Sequence, residues 1–209
     1  WFSRLSTQTK WFILGSSMIF LAALVSFHTL DLPLATTLHN HLAGSTTHTL
    51  LTWFTWFGEA QWVLVPAALV YWINRTHNPE LSAQAQYVFV TNAVTGVAVN
   101  IIKVFLPRYR PLMFFSEGAF GFTRDWIQFE PSHLSFPSGH TVTVFSLAIA
   151  IGFLRPKYRW HFLIFASMIA ARRVLVTAHY LSDVLIGAWF GVALTLILTR
   201  RYFSRTVAC

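Results

Sequence analysis

The segment Arg172-Arg173-Val-Leu-Val-Thr-Ala-His179-Tyr-Leu-Ser-Asp183 carries residues suited to covalent chemistry. His179 and Asp183 stand four positions apart, so on a helix they share a face and the carboxylate reaches the imidazole. An aspartate on one ring nitrogen fixes the tautomer and leaves the other nitrogen as base or nucleophile. A second group, Phe136-Pro137-Ser138-Gly139-His140, precedes a long uncharged stretch. Pro137 ends a loop, Ser138 suits a helix cap, and Gly139 leaves backbone N–H groups open to a ligand. Free donors and the positive dipole at a helix N-terminus make an anion site, and His140 in its first turn is placed to donate a proton there. A third group is Lys103-Val-Phe-Leu-Pro-Arg-Tyr-Arg110-Pro111, where Pro107 and Pro111 forbid continuous helix and the chain turns while displaying cations.

Each group alone has an ordinary reading: snorkelling cations, a Pro-Ser cap with a bystander histidine, a buried ion pair between helices. Together they describe phosphoryl transfer. Lys103, Arg110 and Arg173 surround a phosphate, arginine through paired hydrogen bonds and lysine as a point charge. His179 and His140 then stand on opposite sides of phosphorus for in-line displacement. No metal and no cofactor is required, because cations and helix amides neutralise the charge. Metal-ligand patterns such as HExxH are absent from the sequence.

The elements that must position these residues lie in a membrane. Charged residues make up 11% of the chain, against roughly 25% in ordinary globular domains. Hydrophobic residues reach 55% and mean hydropathy is +0.54. One small core cannot hide so much apolar surface, and the chain is too apolar to remain disordered. The expected fold is all-α and polytopic. Six transmembrane helices lie near residues 11–30, 52–74, 81–106, 138–154, 160–178 and 180–199, with a long outer loop between the third and fourth. Residues 1–209 form a single domain, with no internal repeat. The first apolar stretch is too long for a signal-peptide core, and the chain opens on Trp1, so a few residues are expected to precede it. The lone cysteine, Cys209, offers no internal disulfide.

With six spans both termini share a side, which collects Arg4, Lys10, Arg75, Arg155, Lys157, Arg159, Arg200, Arg201 and Arg205. The opposite side holds Lys103, Arg108, Arg110, Arg124, Arg172 and Arg173, and its first loop, residues 31–51, has no cation. The positive-inside rule makes both termini cytoplasmic. All three motif groups then fall on the outer face. The net charge of +8 reports orientation and an anionic headgroup partner, and no nucleic acid is expected.

With Lys103-x6-Arg110-Pro111, Pro137-Ser138-Gly139-His140 and Arg173-x5-His179-x3-Asp183 in that order, the chain resembles the type 2 phosphatidic acid phosphatase (PAP2) superfamily. Its pattern is K-x6-RP, PSGH and SR-x5-H-x3-D. Arg172 stands where the family has serine, a departure that bears on substrate fit. The resemblance implies that His179 attacks phosphorus and forms a phosphohistidine, Asp183 orients it, and His140 protonates the leaving oxygen. It also implies that Lys103, Arg110, Ser138, Gly139 and Arg173 bind the phosphoryl oxygens. The expectation is a multi-pass lipid phosphatase of the bacterial inner membrane with its site facing the periplasm. Its substrate is a lipid phosphate or diphosphate: phosphatidic acid, phosphatidylglycerol phosphate, undecaprenyl diphosphate or a lipid A phosphate. Alternatives are a lipid-to-lipid phosphotransferase of the same superfamily and an anion transporter or scaffold.

Arg108, Arg124 and Arg172 either contact further substrate charge or pair with Glu117, Asp125 or Glu130, with pairing favoured for Arg124. His133 is read as a loop bystander, and His28, His39, His41, His48, His77 and His161 match no pattern. Trp53, Trp56 and Trp62 look like an interfacial belt, and Glu59 is an acid without an assigned role.

Overall fold

The computed structural model describes residues 6–125 and 127–206, so Arg4 and Cys209 lie outside the described residues. The described chain is helical: α1 (Thr7–Val25), α2 (Asp31–Leu42), α3 (Thr46–Trp53), α4 (Gln61–Asn74), α5 (Pro79–Phe105), α6 (Pro111–Glu117), α7 (Gly139–Leu154), α8 (Arg159–Leu175) and α9 (Leu181–Thr206). Local chemistry sets the ends. The Ser6 hydroxyl accepts from the Thr9 N–H, and Asn78 Oδ1 accepts from the Leu81 N–H with Pro79 opening α5. Gly118, at φ +72°, closes α6 in the left-handed conformation that glycine adopts without penalty.

The expected loop over residues 31–51 is mostly helix. A π turn, Ser26–Leu30, joins α1 to α2, and one apolar helical run extends over Thr9–Leu42. Pro33 would clash with the preceding turn of a regular helix, and the wider π turn relieves this. A π turn also brings residues five apart onto one face, so buried Ser26 donates to buried Asp31 (2.8 Å). Asp31 reads in the sequence as the end of a span because it is charged; here it points into the protein.

Among the described residues three helical runs are long and apolar enough to cross a membrane: Thr9–Leu42, Pro79–Phe105 and Leu181–Tyr202. The other expected spans correspond to shorter elements. Residues 52–74 are interrupted, since α3 gives way to a 3-10 turn, Phe54–Gly58, before α4 begins. α7 and α8 have 16 and 17 residues. The long connection after α5 is folded, holding α6 and a 3-10 turn at Pro131–His133. Arg108 is its staple: its N–H donates to the His133 carbonyl (2.7 Å), and its carbonyl accepts from the Ser135 N–H (3.0 Å).

α7 is the central strut, packed against α5, α8 and α9. Val144 and Ala148 meet Ala166 and Ile169 of α8, while Ala150 joins Val63, Ala67, Tyr87 and Val88 from α4 and α5. A polar seam runs through the same interface. Thr95 and Thr195 both donate to Ser146 Oγ, and Tyr87 bonds Thr199. Outward positions are apolar, with Trp11, Leu21, Val97, Ile164 and Met168 all exposed, as lipid-facing helices require. Trp53, Trp56 and Trp62 are exposed as well, in keeping with an interfacial belt.

α9 approaches α7 closely at two glycines. A Cβ at Gly187 would lie 2.8 Å from the Ser138 carbonyl oxygen, and one at Gly191 would lie 2.7 Å from that of Val142. These small residues four apart let two backbones nearly touch. Gly191→Val is therefore expected to lower the stability of the detergent-solubilised protein by about 1–3 kcal/mol, the usual cost of overpacking. A thermal unfolding midpoint equal to that of wild type would refute the contact.

Candidate active site

The three motif groups meet at one end of the helix bundle. Lys103 sits in the last turn of α5, Gly139 and His140 open α7, and Arg173 lies in the last turn of α8. Beyond α8 the carbonyl of Arg173 accepts the N–H groups of Ala178 (3.1 Å) and His179 (3.2 Å), and Thr177 takes φ +49°. This tight turn presents His179. His179 therefore precedes α9, and the shared helix face that its spacing predicts is replaced by a turn that aims it at Asp183.

Lys103, Arg110, Gly139, His140 and His179 line a cavity of about 260 Å³, together with Gly58, Glu59, Ala60, Gly96, Val99, Asn100 and Thr143. Lys103 Nζ donates to the Leu134 carbonyl (2.7 Å). Among the described residues no carboxylate lies within ion-pair distance of Lys103, Arg110 or Arg173, although Lys103 and Arg173 are buried. Arg110 Nε, Arg173 Nε and His140 Nε2 are buried donors or acceptors with no partner. Buried polar groups are nearly always satisfied, so such a convergence marks a ligand position, and the sign of the charge makes that ligand an anion. Burial pulls the Arg110 pKa below its ordinary value, and the Asp183 charge opposes that fall.

Behind the cavity Asp183 is fully enclosed. Its oxygens accept from Arg108 Nη1 (2.5 Å), Ser135 Oγ (2.6 Å) and the Tyr180 N–H (3.0 Å). His179 Nδ1 stands 3.8 Å from the carboxylate and 3.4 Å from Ser135 Oγ. Ser135 therefore bridges the two: its hydroxyl donates to Asp183 and can accept from Nδ1–H, leaving Nε2 available to the cavity. Burial holds the His179 pKa well below 6.5; Asp183 opposes that shift, and Arg173, Lys103 and Arg110 add to it. The neutral ring, with a free lone pair, is thus the stable form near pH 7.

Several expectations change. Arg108 is neither at a substrate rim nor paired with Glu117, Asp125 or Glu130. It is wholly buried, bonded to Asp183 and to Asp31 Oδ2 (2.8 Å), because its backbone staple turns the side chain inward. Arg124 is exposed and joins no ion pair among the described residues. Arg172 donates to the Leu51 carbonyl (2.7 Å), tying α8 to the end of α3. Ser138 occupies the N-cap position without capping through its side chain. Its N–H donates to the Asp183 carbonyl (3.1 Å), its Oγ accepts from Thr141 (2.9 Å), and it is absent from the cavity wall. His133 packs at a tilt against Tyr109 and bonds Ser132, as a bystander would.

Sequence spacing misses Asp31, Ser135 and Gly58. A Cβ at Gly58 would lie 2.9 Å from His140 Cδ2, so the 3-10 turn before α4 closes over that ring only because residue 58 is glycine. Glu59 lines the cavity and accepts from Gln61 Nε2 (2.7 Å). Inorganic phosphate at saturation is expected to raise the thermal midpoint of the wild type, by linkage of about 2.7 kcal/mol at a hundredfold excess over Kd. Arg110→Met and Arg173→Met should abolish that rise; a rise retained in both would show that the cavity is not the anion site.

The sequence model of the PAP2 superfamily matches residues 84–206. A lipid A 1-phosphatase of Rhizobium johnstonii is 33% identical over 162 residues, covering 70% of this chain and 66% of that protein. One from Rhizobium etli is 34% identical over 149 residues, covering 66% of this chain and 63% of its own length. The bacitracin transport permease protein BcrC of Bacillus licheniformis is 28% identical, over 59% of this chain and 57% of that one. The chain thus spans a little under two thirds of the length of the curated relatives it matches. The crystal structure of Aquifex aeolicus LpxE superposes with a TM-score of 0.62 at 20% identity, covering 82% of this chain and 96% of that one, which establishes a shared fold.

Proposed function

This chain belongs to the PAP2 superfamily, and from that premise we propose that it hydrolyses the terminal phosphate of a membrane lipid without a metal, through a phosphohistidine. The observation that carries the reading is a cavity lined by Lys103, Arg110, His140 and His179, whose two cations have no carboxylate within ion-pair distance among the described residues. His179 Nε2 forms the N–P bond as the P–O bond to the lipid breaks, and the departing oxygen takes its electron pair and a proton from His140. Water then gives a proton to His140 and forms the new O–P bond while the P–N bond breaks, restoring His179 and releasing phosphate. Lys103, Arg110, Arg173 and the N–H groups at Gly139 and His140 hold the phosphoryl oxygens where charge accumulates. Ser138 supports this set from behind, through its bond to the Asp183 carbonyl.

Among candidate lipids the 1-phosphate of lipid A comes first, because two relatives that share a third of their aligned residues carry that name. Phosphatidic acid, phosphatidylglycerol phosphate and undecaprenyl diphosphate offer the same end group. The site faces the periplasm across a bacterial inner membrane, with six passes and both termini cytoplasmic. In support, the motif ends of α5, α7, α8 and α9 meet at one end of the bundle, while Arg155, Lys157 and Arg159 mark the opposite turn between α7 and α8. At 14 to 17 residues α4, α7 and α8 are short for a bilayer, a mismatch that local thinning accommodates.

Two measurements check the proposal. Purified protein in detergent with excess EDTA should release phosphate from at least one of these lipids, and His179→Ala should release none. Silence from wild type, with phosphate appearing on an added acceptor lipid, would indicate a transferase; silence in both assays would return the transport reading. In the pH profile of kcat/KM, the nucleophile is active when neutral, and its folded pKa is held below 6.5. Activity should therefore persist through pH 6.5 and fall only on further acidification, with the basic limb set by loss of the acid's proton. An acid limb centred at or above 6.5 would contradict the buried nucleophile.

A further inference from the structure

Asp31 belongs to none of the three motifs and lies outside residues 84–206, which the family's sequence model matches. Yet its carboxylate is buried and fully used. It accepts from Ser26 Oγ (2.8 Å), the Ser182 N–H (3.0 Å), Ser182 Oγ and Arg108 Nη2 (2.8 Å). The same guanidinium donates through Nη1 to Asp183 Oδ1 (2.5 Å) and Ser182 Oγ (2.7 Å). The rings of Tyr180 (4.5 Å), Phe27 (4.8 Å), Phe120 and Phe122 enclose it, so water does not screen either pair.

Charge counting gives this arrangement a purpose. Two carboxylates and one guanidinium sum to one net negative charge beside His179. With Arg108 and Asp183 alone the sum would be zero, and His179 would face a neutral pair on one side and Lys103, Arg110, Arg173 and His140 on the other. A histidine phosphorylated on Nε2 while Nδ1 keeps its proton gains positive charge in the ring, and a net anion behind it stabilises that state. We propose that Asp31 is a positioning residue for the reaction: it neutralises Arg108, so that Asp183 faces His179 with its charge uncancelled. The proposal rests on the phosphohistidine reading above.

The test is a double-mutant cycle on Asp31→Asn and Arg108→Gln, with bis-phosphorylated lipid A in mixed micelles as substrate and inorganic phosphate as competing ligand. Asp31→Asn takes the net charge from −1 to 0, and kcat should fall roughly 10- to 100-fold, the scale of one nearby charge at an effective dielectric of about 20. The inhibition constant for inorganic phosphate, read from the far side of His179, should stay within about twofold. Asp31→Asn/Arg108→Gln restores −1, and its kcat should recover above that of Asp31→Asn. Wild-type kcat in Asp31→Asn overturns the proposal, and so does a double variant slower than Asp31→Asn, the behaviour of a purely structural tie. If Asp31→Asn does not fold, the double variant decides alone: turnover within about tenfold of wild type supports the charge count, and its loss overturns it. Absence of release by wild type, with every named lipid, would instead sink the phosphatase reading itself.

Discussion

A guanidinium shielded from water between two carboxylates is the interaction on which the rest of this molecule depends. Arg108 comes from the connection after α5, Asp31 from the start of α2, and Asp183 from the first turn of α9, so one ion triad fastens three distant segments. Buried ion pairs stabilise weakly once desolvation is counted, but removing one member leaves an uncompensated charge and is severe. The triad accordingly acts as a register device. It fixes where α9 begins relative to the N-terminal helix, and with it the turn that presents His179. Ser182 seals the junction by bonding both Asp31 and Arg108.

On the other side of His179 the electrostatics run in the opposite sense. Lys103, Arg110 and Arg173 have no carboxylate within ion-pair distance among the described residues, an arrangement that costs free energy in an empty site and is recovered when an anion enters. The backbone contacts around it are correspondingly firm. Ser138 bonds the Asp183 carbonyl, Lys103 bonds the Leu134 carbonyl, and Gly187 allows α9 to approach Ser138 closely. Rigid neighbours hold the cations together against their mutual repulsion, which is what preorganisation means here.

Lys103, Arg110, Gly139, His140 and His179 of the cavity were legible in the sequence because each motif is local. Spacing within Pro137–His140 encodes a helix start, while that of His179 and Asp183 predicts their proximity through a shared helix face that the structure achieves through a turn. What spacing could not show were partners distant along the chain. Asp31 and Arg108 are 77 positions apart, so nothing near either residue discloses the pair. Charge itself misleads in two places: Asp31 reads as the end of a span, and Arg108 as either a substrate contact or a partner of Glu117, Asp125 or Glu130, because an ionised group in an apolar chain is ordinarily near water. Ser135 belongs to none of the motifs, since a hydroxyl that bridges an imidazole and a carboxylate has no periodicity to betray it. The short α4, α7 and α8 show a related limit, because uncharged length marks a candidate span without fixing where its helix begins.

The cavity holds about 260 Å³, below the roughly 300–1,000 Å³ of pockets that engulf drug-sized ligands. On the function proposed, such a chamber admits an end group and leaves the acyl chains in the bilayer throughout turnover. Encounters then take place in two dimensions, and saturation is governed by the mole fraction of substrate in the leaflet rather than by its bulk concentration. Diluting the substrate lipid among inert lipids slows the enzyme even when the total amount present is unchanged.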